Sequence, residues 1–231
     1  EELINVKREF PNMKNPDGKL ILEDWLNGDF LNRLNQEHIQ LVMKWLIEFQ
    51  KSTQSNELTD TEIDDEIKKV RLELMKIDSM KELPYESWLD EYRNELKKTK
   101  LIKTAVHGDF QLRNILIDEE LQRVNVIDWD WRFEEKGNPI YDFVWLATNI
   151  MMFSNNPEKE FLEYQKNGGK TKNSISIIKK MMKNHFNAEF DLMKLQRFMI
   201  MRFITIRVKD DDDGYLFYVK ILKNLENVKS Y

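Results

Sequence analysis

The stretch AVHGDFQLRNILIDEELQRVNVIDWDW, Ala105 to Trp131, decides the fold of this chain. Val106, Ile115 to Ile117 and Val124 to Ile127 are short apolar runs rich in β-branched residues, the pattern of buried strands. His107, Asp109, Asn114 and Asp128 stand where those runs begin or end. Three short strands would therefore gather two carboxylates and an amide oxygen around one point, with charged loops between. Such a donor set suits Mg²⁺, which takes a few hard oxygen ligands and keeps water and phosphate oxygens for the rest.

Composition bounds the reading further. The chain has 231 residues, 41% hydrophobic and 11% aromatic, enough to bury a core of one domain or slightly more. Charged residues make up 33%, but the signs are interspersed and the net charge is only -5. That argues against a nucleic-acid protein, which carries a basic stripe or patch. There is no Cys, hence no disulfide framework and no thiolate chemistry, in keeping with a reducing compartment. No secretory signal is evident, and the most apolar stretch, Phe198 to Val208, is interrupted by Arg202 and Arg207. These features lead to the expectation of a cytoplasmic protein without a membrane partner.

Around the decisive stretch the pattern is mostly helical. Ile39, Val42, Met43, Leu46, Ile47 and Phe49 recur at helical spacing behind Asn35, a good helix start. Ile63, Ile67, Val70, Leu74 and Ile77 mark a second helix, capped by Thr59 or Asp60. Trp88, Leu89, Tyr92 and Leu96 line a third after Pro84. Beyond Pro139, helices are expected over about 140–152, 157–166, 173–186, 188–208 and 214–228. Upstream, the alternation of Leu3 to Phe10, the turn formers of Pro11 to Gly18 and the run Leu20 to Leu22 read as a β-hairpin.

The order His107-Gly108-Asp109, four residues, Asn114, then Ile127-Asp128-Trp129-Asp130 resembles the core of the aminoglycoside phosphotransferase and choline kinase family. Asn138-Pro139-Ile140-Tyr141-Asp142-Phe143 resembles the Pro-x-Tyr-Asp-Leu segment that follows it in that family. Members are similar to protein kinases, in which a loop Asp and Asn and a later metal-binding Asp serve phosphoryl transfer. The resemblance implies an α+β fold: a mostly helical kinase-like C-terminal lobe with a small strand cluster carrying the catalytic loops. A β-hairpin and hinge would precede it, with residues 1–24 the end of an N-terminal lobe and 25–231 the helical lobe.

The resemblance also implies roles. Asp109 would orient the acceptor hydroxyl and take its proton; Asn114 and Asp128 would bind Mg²⁺; His107 and Asp142 would brace the catalytic loop. Backbone groups of Glu23, Asp24 and Trp25 would meet the base of ATP or GTP. Asp130 reads equally as an acid near the metal or the substrate and as a solvent-facing strand end. Gln111-Leu112-Arg113 departs from the family's commoner His-Pro-Gly-like stretch, at positions that vary with substrate, so no acceptor is named beyond a small hydroxyl-bearing molecule. Arg113 reads as a surface residue, and Trp129 and Trp131 as either walls of the site or packing beneath it. The acidic run Asp210 to Asp213 fits a solvated loop better than a site for a cationic acceptor.

The phosphate-covering loop, strand Lys and helix Glu of a complete kinase find no room before Leu3, and neither Lys7 nor Lys19 is followed by a helix to supply the Glu. The chain therefore reads as the C-terminal part of a longer enzyme that needs its N-terminal lobe. Two other readings stay open: a kinase-fold regulatory or interaction module without catalysis, and, more distantly, a divalent-metal hydrolase.

Overall fold

The computed structural model describes residues 28–129, 133–166, 168–209 and 213–227. The hairpin and hinge expected over the first 27 residues lie outside them. The first described element is a short strand, β1 (Asp29–Phe30), followed by α1 (Gln36–Ser52), α2 (Asp60–Leu74) and α3 (Tyr85–Leu96). Each start is written locally. Asn35 Oδ1 accepts the backbone N–H groups of Glu37 and His38 at 3.0 and 3.2 Å, satisfying two donors that a helix start leaves open. Thr59 makes a reciprocal capping box with Glu62: its Oγ1 accepts from Glu62 N, and Glu62 Oε2 accepts from Thr59 N at 2.8 Å.

That box makes a simple prediction. Thr59→Ala removes the acceptor and should cost about 1 kcal/mol, read as a lower denaturant midpoint at unchanged slope. An unchanged midpoint would show that α2 is held by packing alone.

Next come β2 (Thr104–Val106), β3 (Ile115–Asp118), β4 (Arg123–Val126) and β5 (Glu134–Gly137). β3 and β4 form an antiparallel hairpin, with Ile115 opposite Val126 and Ile117 opposite Val124. β1 adds to the other edge of β3, giving the order β1-β3-β4, while β2 pairs separately with β5. Gly28 is required at the entry to β1. Its φ is +135°, and a Cβ there would lie 2.8 Å from the backbone of Ile117. β5 was not expected: Glu134-Glu135-Lys136-Gly137 has no apolar alternation, and only backbone pairing to β2 makes it a strand.

Helices fill the rest: α4 (Ile140–Met152), α5 (Pro157–Gln165), α6 (Lys172–Phe186), α7 (Leu192–Lys209) and α8 (Tyr215–Asn227). They match the expected segments within a residue or two, except that α7 begins at Leu192 rather than 188. Asn187 ends α6 in the left-handed region, at φ 50°, and Asp191 Oδ1 then accepts from Met193 N at 3.0 Å to open the next helix. α4 is the centre of the molecule. Every residue from Ile140 to Met151 is buried, the apolar majority in the core and the polar Asp142, Thr148 and Asn149 satisfied by hydrogen bonds. It packs against α5, α6 and α7. Gln50 of α1 fixes its start by donating to the Pro139 carbonyl at 2.6 Å. No helix among the described residues is long and apolar enough to cross a membrane.

Candidate active site

The loop between β2 and β3 is hung from α4. Gly108 turns it at φ 76°, a conformation glycine adopts without strain. The carboxylate of Asp142, fully buried, accepts the backbone N–H of His107 at 2.9 Å and of Gly108 at 3.0 Å. Burial pushes the Asp142 carboxyl up, opposed by His107 and these two amides.

His107 ties the two halves of the motif together. Its Nδ1 accepts from Asp109 N at 3.2 Å, which assigns the proton to Nε2, and Nε2 donates to the Ile127 carbonyl at 2.9 Å. Ile127 N in turn donates to Asn114 O at 3.0 Å. The end of β4, and with it Asp128, is thus locked to the loop that carries Asp109 and Asn114. Asp128 is exposed, and its φ of 65° lies in the left-handed region that Asp tolerates better than most residues.

Asp109 is buried and its two oxygens face different donors. Oδ1 accepts from the Trp145 indole N–H at 3.1 Å. Oδ2 accepts from Gln111 Nε2 at 2.8 Å and Asn114 Nδ2 at 3.3 Å. Asn114 Nδ2 also donates to the Asp109 carbonyl at 3.0 Å, which turns the amide oxygen of Asn114 away from Asp109. Asn149 completes the support: its Oδ1 accepts from Leu112 N at 3.1 Å and its Nδ2 donates to Gln111 Oε1 at 3.3 Å.

Asp142, Trp145 and Asn149 are spaced i, i+3, i+7 and so share one face of α4. Sequence reasoning found Asp142 and missed the other two, together with Gln111. Their signal was the recurrence of hydrogen-bonding side chains on one stripe of an otherwise apolar helix.

The oxygen donors suit Mg²⁺ in kind: Asn114 offers an amide oxygen and Asp128 a carboxylate. Among the described residues no cluster of three or more His, Cys, Asp or Glu could hold a metal unaided. Glu23, Asp24, Trp25, Asp130 and Trp131 lie outside the described residues, as do Asp210 to Asp212. Trp129 packs beneath the motif: buried, its ring sits 4.6 Å from that of His107, and its Nε1 donates to Val126 O. Arg113 lies on the surface with its guanidinium over Phe153.

Beside β5 a cleft of about 400 Å³ opens between α2 and α7, lined among others by Glu62, Glu66, Lys103, Glu134, Tyr141 and Arg202. The Arg202 guanidinium lies over the Tyr141 ring, 3.2 Å from Glu134 Oε1 and 3.6 Å from Glu66 Oε1. Lys103 binds Glu62 and, with the Thr59 cap, holds its carboxyl down at about 2.

Burial pushes Glu66 the other way, up to about 7, against the pull of Arg202. The folded protein keeps the Glu66 proton over a range in which the unfolded chain has lost it. The stability this contributes is full below the ordinary carboxylate range and is lost as pH rises through about 7. With 22% of the side chain still exposed the effect is modest. Glu66→Gln cannot ionise, so its melting temperature relative to wild type should climb between about pH 5 and pH 8 and then level. A flat difference would show that the cleft does not hold the proton.

The model of the phosphotransferase enzyme family matches residues 24–173 of the chain, which include the loop from His107 to Asn114, Asp128 and α4. The chain belongs to that family. Among solved structures, the chain resembles a glucosamine kinase with a TM-score of 0.50 at 13% identity, over 83% of its own length and 52% of that chain. A structure of glucosamine kinase in complex with glucosamine, ADP and inorganic phosphate gives 0.52 at 14% identity, over 85% and 51%. At such identity the likeness is one of fold: kinase-like, mostly helical, with small antiparallel sheets. The chain spans about half the length of these structures. No curated protein matches it.

Proposed function

We propose that this chain is the C-terminal lobe of a small-molecule kinase that moves the γ-phosphoryl group of ATP or GTP to a hydroxyl of a small acceptor. The observation that carries the reading is the coupling of Asp109, Asn114 and Asp128. The first two are hydrogen-bonded to each other, and both are tied through His107 and Ile127 to the strand end that bears the third.

In this reading Asp109 receives the acceptor O–H, aims its oxygen at phosphorus and takes the proton as the new bond forms. Transfer through a loose transition state asks for position more than for a strong base, and an aspartate is sufficient. Asn114 and Asp128 would hold Mg²⁺, which when bound screens the β- and γ-phosphate charge. The backbone of Glu23, Asp24 and Trp25 would meet the nucleotide base. Residues 1–24 would belong to the N-terminal lobe and 25–231 to the helical lobe, with the rest of the N-terminal lobe as its partner. Supply of nucleoside triphosphate places such an enzyme in the cytoplasm, acting on neither nucleic acid nor membrane.

The test uses the protein from its complete reading frame, with MgATP and MgGTP, against a panel of hydroxyl-bearing acceptors. Amino sugars head the panel because a fold neighbour is a glucosamine kinase. The expected result is a phosphate ester, seen by phosphorus NMR, formed with one nucleoside diphosphate released per ester. Nucleotide binding without turnover on any acceptor would overturn the reading in favour of a non-catalytic module.

A further inference from the structure

Trp145 has a place that helix packing alone does not explain. It is buried, 3% exposed, on the most apolar helix among the described residues, yet its one polar atom points at the one acid read as the base. Phe203 of α7 holds the indole by stacking at 4.7 Å and 26°. On the other side of the carboxylate, Gln111 is itself held by Asn149, from the next turns of the same helix. The Asp109 carboxylate therefore sits between a donor on Oδ1 and donors on Oδ2. Rotation about its Cα–Cβ or Cβ–Cγ bond breaks contact with both sides at once.

We infer that Trp145 is a positioning residue for phosphoryl transfer: its indole N–H clamps Oδ1 of Asp109 and so sets the direction in which the carboxylate meets the acceptor hydroxyl. The inference rests on the kinase reading above. It adds a part with its own chemistry, since a buried indole, being a donor only, cannot substitute for the base or bind the metal. A hydrogen bond to a charged group, in a site where small misplacements are costly, gives the expected size.

The clean variant replaces Trp145 with 3-benzothienylalanine, which keeps the ring volume and the stack on Phe203 but carries sulfur in place of N–H. It is made in the protein from the complete reading frame and assayed with MgATP and the acceptor that the panel shows to turn over fastest. kcat should fall roughly 10- to 100-fold, while KM for nucleotide and acceptor stays near wild type and the melting temperature drops only as far as one lost buried hydrogen bond requires. In an Asp109→Asn background the same replacement should lower the residual rate no further, because Trp145 acts only through Asp109. A purely structural tryptophan would show the reverse: unchanged kcat, or losses of equal size in both backgrounds, and either overturns the inference.

A second measurement does not depend on turnover. The indole ¹H–¹⁵N resonance of Trp145, identified by its absence from Trp145→Phe, should move on Asp109→Asn, and a stationary resonance overturns the clamp. Failure of the kinase reading looks different from all of these, since wild type would then phosphorylate no acceptor.

Discussion

Replacing Asp109 by Asn should lower transfer to the acceptor by ~10²–10⁴-fold, the range for a positioned acid–base group, and leave nucleotide affinity near wild type. The acid faces the acceptor rather than the phosphates in the proposed arrangement, so binding and chemistry separate. Asparagine is not a silent replacement here. Its amide offers one acceptor oxygen, whereas Asp109 accepts from Trp145 on one side and from Gln111 and Asn114 on the other. One side must face N–H with NH₂, a donor against a donor, which costs on the order of 1–3 kcal/mol at a buried site. The melting temperature should therefore drop somewhat, and single-turnover kinetics belong below the variant's own melting range. Full activity in Asp109→Asn would remove the catalytic role and leave a binding module.

The second large effect is expected at Asp128. Loss of its carboxylate should abolish the gain in nucleotide affinity that Mg²⁺ provides, because Asn114 alone cannot hold the ion against water. The choice of replacement follows from the backbone. Asp128 sits at φ 65°, where alanine would add strain of about 1 kcal/mol, whereas asparagine tolerates the conformation. Asp128→Asn thus removes the charge with the turn kept, and Asp128→Ala serves as the harsher control. Titration of nucleotide with and without Mg²⁺, in the protein from its complete reading frame, reads the difference. A wild-type Mg²⁺-dependent gain in Asp128→Asn would sink the assignment.

Much of the architecture was legible because it is local. Asn35 and Thr59 announce helix starts through side chains that can reach backbone N–H groups two or three residues on. The recurrence of Ile39, Val42, Met43 and Leu46 permits only one buried face. The strands β3 and β4 declare themselves by apolar, β-branched runs. β5 did not, since Glu134 to Lys136 are held by pairing with residues some thirty positions earlier, and no side-chain pattern records that. The start of α7 was misplaced because Asp191, an ordinary acid in sequence, turns out to cap.

In the site, the grouping of His107, Asp109 and Asn114 follows from a motif whose spacing is fixed by the loop they share, while Asp142 was found through the separate Asn138 to Phe143 segment that opens α4. Trp145 and Asn149 were harder to find. A tryptophan and an asparagine within an apolar helix satisfy many environments, and only the tertiary position of Asp109 and Gln111 gives them a partner. The roles expected for Glu23, Asp24, Trp25 and Asp130 concern residues outside those described.

The attachment of the loop to α4 has a consequence for how the site fails. Asp142, Trp145 and Asn149 reach the loop at His107, Gly108, Asp109, Gln111 and Leu112, and all three project from a helix buried along its length. A loop suspended in this way has no melting transition of its own: it cannot slacken until the helix leaves the core, and the helix cannot leave without the core. Site and scaffold form one cooperative unit. Heating should therefore abolish the arrangement in a single step with global unfolding, and the amides of His107 and Gly108 should exchange with solvent as slowly as those at the centre of α4.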